Sequence, residues 1–358
     1  VNILIVFSGI KGSVGGTQSW INNLQEKYGF NLSVVYLGCT KNNFHFPAFQ
    51  VRNKIATNVV LACDPLSLYW VRNNVNYFSL IIGFYHKNEW NLERTSFLEE
   101  KVIDTVEKAN LCFTFSNIKL PHFLHNVPRI SIPLLPRKDF KQPVLFDQEN
   151  KNIIILARLE KFKGYPAHLP NISKWLSNLQ SDIIIHVVGK GSLFAELSSL
   201  QLPNVKFWGT LSPLEIKEIV KCCRVGISSG IGAIELTSVG LPVIVPMEDS
   251  LNLDVTCVTS SGFFILQDES TDTSINFYDV LNTHLFIDRS NWELLSTKAS
   301  NAVIKDFNYD KLFEFENKNK VSFKISFINN LIIYADYLFR IILDKLKLKK
   351  FGFINRID

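Results

Sequence analysis

Three charged side chains carry the strongest chemical signal in this chain: Arg158, Lys163 and Glu235. Arg158 and Lys163 close the stretch IIILARLEKFKG, where a run of branched apolar residues should end as a buried strand and pass into a loop. A guanidinium can fork onto two phosphate oxygens, and an ammonium adds a mobile point charge. Glu235 lies in SSGIGAIELTSVGLPVIVP, where a Gly-Ile-Gly turn opens a short helix that precedes the strand PVIV. Two fixed cations beside one carboxylate suit a nucleoside diphosphate-sugar. The cations neutralise the pyrophosphate, and the carboxylate accepts hydrogen bonds from ribose hydroxyls.

A second signal sits near the start of the chain, in SGIKGSVGGTQ. Gly9, Gly12, Gly15 and Gly16 lie between the first strand and the first helix, where backbone amides can approach an anion closely. The spacing is neither GxGxxG nor a Walker loop, which argues against a dinucleotide or ATP site. Taken singly, each feature has a plainer reading. Glycine-rich turns are common, and Arg158 and Lys163 could be solvated cations beside Glu160 and Lys161. The Lys163-Gly164 pair, the Gly189-Lys190-Gly191 turn and the Glu235 helix, in that order, favour a phosphate site.

Short apolar runs alternate with amphipathic stretches, which predicts parallel sheets covered by helices on both faces. In the first half the strands are expected at Asn2–Phe7, Leu32–Leu37, Asn58–Ala62, Leu80–Phe84, Leu111–Phe115 and Ile130–Ile132, with helices at Gly16–Lys27 and Thr95–Ala109. The polar stretch Pro136–Asn150 reads as a linker. Strands are then expected at Ile153–Ala157, Ile183–Val188, Val205–Trp208, Val225–Ser228, Val243–Pro246 and Phe263–Leu266. Helices fall near 166–179, 192–199, 212–222 and 232–239, the third opened by Ser212-Pro213-Leu214-Glu215 as a capping box. Two further helices are expected over Trp292–Phe307 and Phe323–Leu346.

With 358 residues the chain should form more than one domain, and 47% hydrophobic with 20% charged residues marks it as folded. The six cysteines show no CxxC pair and no zinc spacing, so free buried thiols are expected. VNILIVF lacks the basic region and cleavage site of a signal peptide, which points to the cytoplasm. The net charge of +5 is unevenly spread. Residues 1–145 carry 15 Lys/Arg against 9 Asp/Glu, residues 146–320 carry 16 against 21, and residues 321–358 carry 7 against 3. The tail FKISFINNLIIYADYLFRIILDKLKLKKFGF places apolar residues at helical spacing and ends in Lys345, Lys347, Lys349 and Lys350. Asn329, Asn330, Asp336 and Arg340 interrupt it as a membrane span. It reads either as an amphipathic helix on an anionic membrane or as a helix packed on protein.

In its motifs the chain resembles the retaining "group 1" glycosyltransferases, a family that includes many O-antigen, capsule and lipopolysaccharide transferases. The resemblance rests on the turn at Gly15-Gly16, A-R-L…K-G at Ala157–Gly164, V-V-G-K-G at Val187–Gly191, N-V-K-F-W-G at Asn204–Gly209 and E-x4-G-x-P-V-I at Glu235–Ile244. It implies an α/β chain of GT-B type, with two Rossmann-like parallel-sheet domains facing a central cleft, plus C-terminal helices. The expected domains are residues 1–142 for the acceptor, residues 143–320 for the nucleotide-sugar, and the basic tail 321–358. Gly15 and Gly16 would meet the donor phosphate, Arg158 and Lys163 the diphosphate leaving group, and Glu235 the ribose. The amides of Leu236 and Thr237 would add phosphate contacts, and His86 would face the donor sugar. One departure stands out: where the family carries a second glutamate, eight residues before the ribose-binding one, this chain has Ile227.

The reading expects no cofactor and no metal, since D-x-D is absent from the chain. Its partners would be a nucleoside-diphosphate sugar and a glycan or polyprenyl-diphosphate-linked acceptor, at the inner face of an anionic membrane. A noncatalytic sugar-nucleotide-binding subunit and a GT-B epimerase or hydrolase remain as alternatives. An NAD-dependent oxidoreductase is disfavoured by the absence of the glycine fingerprint followed by an acid. A nucleic-acid binder is disfavoured by the lack of a basic-aromatic stripe.

Overall fold

Val, Ile and Leu fill nearly every strand position, because a parallel sheet covered on both faces buries side chains in both directions. The computed structural model describes residues 2–7, 16–37, 55–84, 96–114, 122–132, 135–147, 149–160, 165–179, 182–246, 254–258 and 275–303. They fall into two compact units, one built before Pro133 and one spanning Pro133–Phe307.

The first unit runs β1 (Ile3–Phe7), α1 (Gly16–Tyr28), β2 (Leu32–Tyr36), β3 (Ile55–Ala56), β4 (Val59–Ala62), α2 (Pro65–Asn74), β5 (Val75–Asn76), β6 (Ser79–Phe84), α3 (Ser96–Val106), β7 (Leu111–Thr114) and β8 (Arg129–Ser131). Six strands form one parallel sheet in the order β2-β1-β4-β6-β7-β8, and β3 pairs with β5 apart from it. Successive strands are added on opposite sides of β1, so the order reverses beside its carboxyl end, where α1 begins at Gly16. Helix α2 is absent from the sequence-based expectation. Asp64 caps it by accepting from the Ser67 amide at 2.9 Å, and Pro65 occupies its first turn. Leu68, Tyr69, Trp70 and Val71 are all fully buried, so no one-sided apolar stripe advertises it.

The second unit runs β9 (Asn152–Leu156), α4 (Leu169–Asn178), β10 (Ile185–Val188), α5 (Phe194–Ser199), β11 (Val205–Gly209), α6 (Pro213–Lys221), β12 (Cys223–Ile227), α7 (Ile231–Ser238), β13 (Val243–Pro246), β14 (Asp254–Val258), β15 (Ile275–Asn276), α8 (Phe277–Phe286) and α9 (Arg289–Ala302). The sheet order is β11-β10-β9-β12-β13-β14-β15. Strands β9 to β13 are parallel, whereas β14 and β15 join antiparallel. Residues 247–253 are too few for the crossover of roughly a dozen residues that a parallel neighbour requires. The strand expected at Phe263–Leu266 and the helix expected over Phe323–Leu346 lie outside the described residues.

The polar stretch read as a linker is docked on the second unit. Phe140 is fully buried, the Val144 amide donates to Val239 O at 3.0 Å, and the Asp147 amide donates to Lys221 O at 2.7 Å. Composition hid this, because backbone amides and one phenylalanine do the docking. Among the described residues, no helix is long and apolar enough to cross a membrane.

Candidate functional site

The second sheet reverses its strand order between β9 and β12, which lie side by side with Ile155 opposite Ile227. In open α/β sheets the crevice at the carboxyl ends of such strands is where ligands bind. Arg158 lies two residues beyond β9, and α7, which carries Glu235, follows β12 after a three-residue turn. The turn is stitched to the end of β9: Ser228 Oγ donates to Leu156 O. Gly232 comes so close that a Cβ there would stand 2.9 Å from Leu156 O. Arg158 and the first turn of α7 therefore share one edge of the sheet.

A buried acid positions Arg158. Its Nε donates to Glu160 Oε1 at 3.2 Å, and Ser192 Oγ donates to Glu160 Oε2 at 2.6 Å. The Arg158 side chain stays 38% exposed while that of Glu160 is 7% exposed, so the anchor is fixed and the cation reaches solvent. Sequence reasoning had set Glu160 down as a loop neighbour and missed Ser192. The loop after β10 fits only because of Gly189, whose φ is +129° and where a Cβ would stand 1.9 Å from Ala157 O. Gly189→Ala should therefore destabilise the second unit by about 3 kcal/mol or more, since strain and a backbone clash add. A denaturant midpoint equal to wild type would show that the loop closes otherwise.

At the start of α7, Gly230 takes the N-cap position without a side-chain cap, and nothing lies within 4 Å of where a side chain would begin. The amide groups of the first turn have no partner within the helix and favour an anion. This corrects the expectation for Leu236 and Thr237. The helix begins at Ile231, so both stand a turn further in, where their amides bond back along the helix. Leu236 is fully buried and packs where Gly226 leaves room, and Thr237 Oγ1 donates to Ala233 O at 2.7 Å.

Glu235 is 2% exposed and is gripped by Arg137, a residue of the docked polar stretch. Arg137 Nε donates to Oε1, and Nη2 donates to Oε2 at 2.9 Å, a two-pronged pair. Burial pushes the Glu235 carboxyl up from its ordinary range, and the Arg137 guanidinium opposes that rise. Burial pulls Arg137 down, but its bonds to Glu235 outweigh this and hold its pKa above the usual value. Arg137 also lies over the Phe140 ring at 5.1 Å. Sequence reasoning missed Arg137, because a lone cation in a polar stretch gives no signal.

Ile227, at the position where the resembled family carries a glutamate, ends β12 fully buried in the core, so its side chain faces no ligand. Gly16 is the first residue of α1. Gly15, His86 and Lys163 lie outside the described residues.

Among the described residues, His186, Cys222 and Cys223 are close enough to share a metal ion, with ligand atoms within 4.8 Å of one another. They belong to the amino-terminal half of β10 and the α6–β12 junction, away from the edge that carries Arg158. Trp208 Nε1 donates to His186 Nδ1 at 3.1 Å, so the neutral ring carries its own proton on Nε2 and offers no lone pair to a cation.

Residues 136–282 match the family model described as "Glycosyl transferases group 1". No curated protein matches the chain. Among solved structures, it is similar to sucrose-phosphate synthase from Thermosynechococcus elongatus, at 12% identity and a TM-score of 0.58, covering 87% of this chain and 96% of that one. It is similar to an alpha-glucosyltransferase solved with UDP and a 13-mer DNA, at 12% identity and a TM-score of 0.52, covering 87% and 97%. It is also similar to S. aureus TarM, solved with Fondaparinux, alpha-GlcNAc-glycerol and UDP, at 14% identity and a TM-score of 0.50, covering 72% of this chain. The chain spans about half the length of TarM, covering 54% of it. The chain thus has the α/β fold of GT-B type, with two Rossmann-like units, and its residues 136–282 match the group 1 glycosyltransferases.

Proposed function

We propose that this chain transfers a sugar from a nucleoside-diphosphate sugar to a glycan or lipid-linked oligosaccharide. The supporting observation is the shared edge of β9 and β12, where Arg158, held by Glu160, stands beside the uncapped first turn of α7. Two of the similar structures were solved with UDP, which supports a nucleoside diphosphate in this role. Charge develops on the leaving phosphate as the anomeric bond breaks. A preorganised guanidinium and helix amides stabilise that charge most where water is excluded.

In this reading Arg158 and Lys163 bind the diphosphate without a metal, Gly15 and Gly16 present amides to the donor phosphate, and His86 faces the sugar. Glu235 accepts hydrogen bonds from the ribose through the lone pairs that Arg137 leaves, since an ionised carboxylate has about four acceptor sites. The reaction proceeds with retention at the anomeric carbon. The basic tail 321–358 would rest on the anionic inner face of the membrane where a polyprenyl-diphosphate-linked acceptor is presented, in the synthesis of a surface polysaccharide.

Burial of Ile227 favours a second reading, a noncatalytic donor-binding subunit, because a sugar-contacting acid is missing. Nucleoside-diphosphate release, followed over a panel of UDP-, GDP-, dTDP- and ADP-sugars with and without glycan acceptors, separates the two. Acceptor-dependent release supports transfer. Release without acceptor indicates a hydrolase or epimerase, and donor binding with no release on any acceptor supports the binding subunit.

A further inference from the structure

Away from the donor edge, two adjacent cysteines meet a histidine. Cys222 follows α6 and is partly exposed, whereas Cys223 opens β12 and is 1% exposed. Both thiols are turned toward Ile219 O, at 3.0 and 3.2 Å. His186, on β10, is 7% exposed, and its ring stacks on Trp208 with centroids 5.9 Å apart. Its Nδ1 accepts from the Trp208 indole, and its Nε2 is buried with no hydrogen-bond partner. One ring nitrogen and the two sulfurs lie within 4.8 Å of one another.

A buried N–H without an acceptor is costly, and the anion that could relieve it here is a thiolate. Cys222 is the thiol suited to become that anion. Hydrogen bonds from Cys223 and then His186 hold its pKa down to about 4, against burial. Burial pushes the Cys223 thiol well above the ordinary range, so Cys223 keeps its proton and donates it. Asn152 of β9 adds a further hydrogen bond to Cys222. The other charged groups on the packed elements are engaged: Lys221 pairs with Glu218 at 2.6 Å, and Lys206 lies over the Trp208 ring at 4.0 Å.

We propose that Cys222 is a modification site, a nucleophilic thiolate supported by Cys223 and His186 that is captured by small disulfides and other soft electrophiles. With a small disulfide, the Cys222 sulfur attacks one sulfur of the pair and forms a new S–S bond. The old S–S bond breaks, and the departing thiolate takes a proton from water. The Cys222 sulfur is oxidised and the leaving sulfur reduced, with no other reactant needed. The partial exposure of Cys222 gives the electrophile its path, and the buried Cys63, Cys112 and Cys223 lack one.

The test is pulsed alkylation of the folded full chain with iodoacetamide between pH 4 and 9, with each cysteine followed by mass spectrometry. Cys222 should label at least about tenfold faster than any other thiol at pH 6, where an ordinary thiol of pKa near 8.5 is almost wholly protonated. Its rate should already be level above pH 6. Cys222→Ser should remove the fast label, and His186→Asn should shift the rise to higher pH without abolishing labelling. Oxidised glutathione should give a mixed disulfide at Cys222 that dithiothreitol reverses. A wild-type midpoint between pH 8 and 9, or fastest labelling at another cysteine, would overturn the proposal.

Discussion

Replacing Arg158 with alanine should lower kcat/KM for donor turnover about 100- to 1,000-fold, the usual loss when one preorganised donor to a developing oxyanion is removed. The fold should survive, because the side chain is 38% exposed and its partner Glu160 keeps its bond from Ser192. Glu160→Gln should lose less, since a neutral amide still accepts from Arg158 Nε but holds it with a weaker, uncharged bond. Steady-state kinetics on both variants read this directly. An Arg158→Ala enzyme as fast as wild type would take the arginine out of the leaving-group site.

Arg137→Ala should be the most destabilising single change in the second unit. It leaves the Glu235 carboxylate, 2% exposed, without its two-pronged partner. Breaking a buried pair from one side typically costs about 3–5 kcal/mol, because the remaining charge is stranded. Arg137 is itself 35% exposed, so water can partly replace it and the lower end of that range is expected. Replacing both residues with apolar ones, Arg137→Met with Glu235→Leu, should recover much of the loss, since it removes the stranded charge. Denaturant midpoints for the three variants check this. If Arg137→Ala matches wild type, the pair does not hold the polar stretch against α7.

Both effects depend on residues that the sequence revealed unequally. The strands around Ile153–Leu156 and Val243–Pro246 were legible because parallel strands buried on both faces are written as continuous branched residues. The capping box at Ser212 and Glu215 forms as its spacing indicates, with both halves made. Helix α2 was hidden by its own burial, because a helix apolar on most sides loses the 3.6-residue stripe. The antiparallel β14 was hidden because strand direction is set by connection length, which an apolar run does not display. Within the site, Arg158 and Glu235 were visible from their place after strands. Arg137 lies 98 residues from Glu235, and only three-dimensional structure brings such a pair together. Leu236 and Thr237 were misplaced by one helical turn, because Gly230 and Gly232 both read as plausible starts and the observed helix begins between them.

The central claim is that the joined ends of β9 and β12 hold the diphosphate of an activated sugar. Calorimetric titration of the wild-type chain with UDP, GDP, dTDP and ADP tests it most directly, with Arg158→Ala run alongside. At least one nucleotide should bind at a single site per chain, and the substitution should weaken that binding by tenfold or more, about 1.4 kcal/mol. Absence of binding by all four nucleotides at millimolar concentration, or equal affinity in Arg158→Ala, would contradict it.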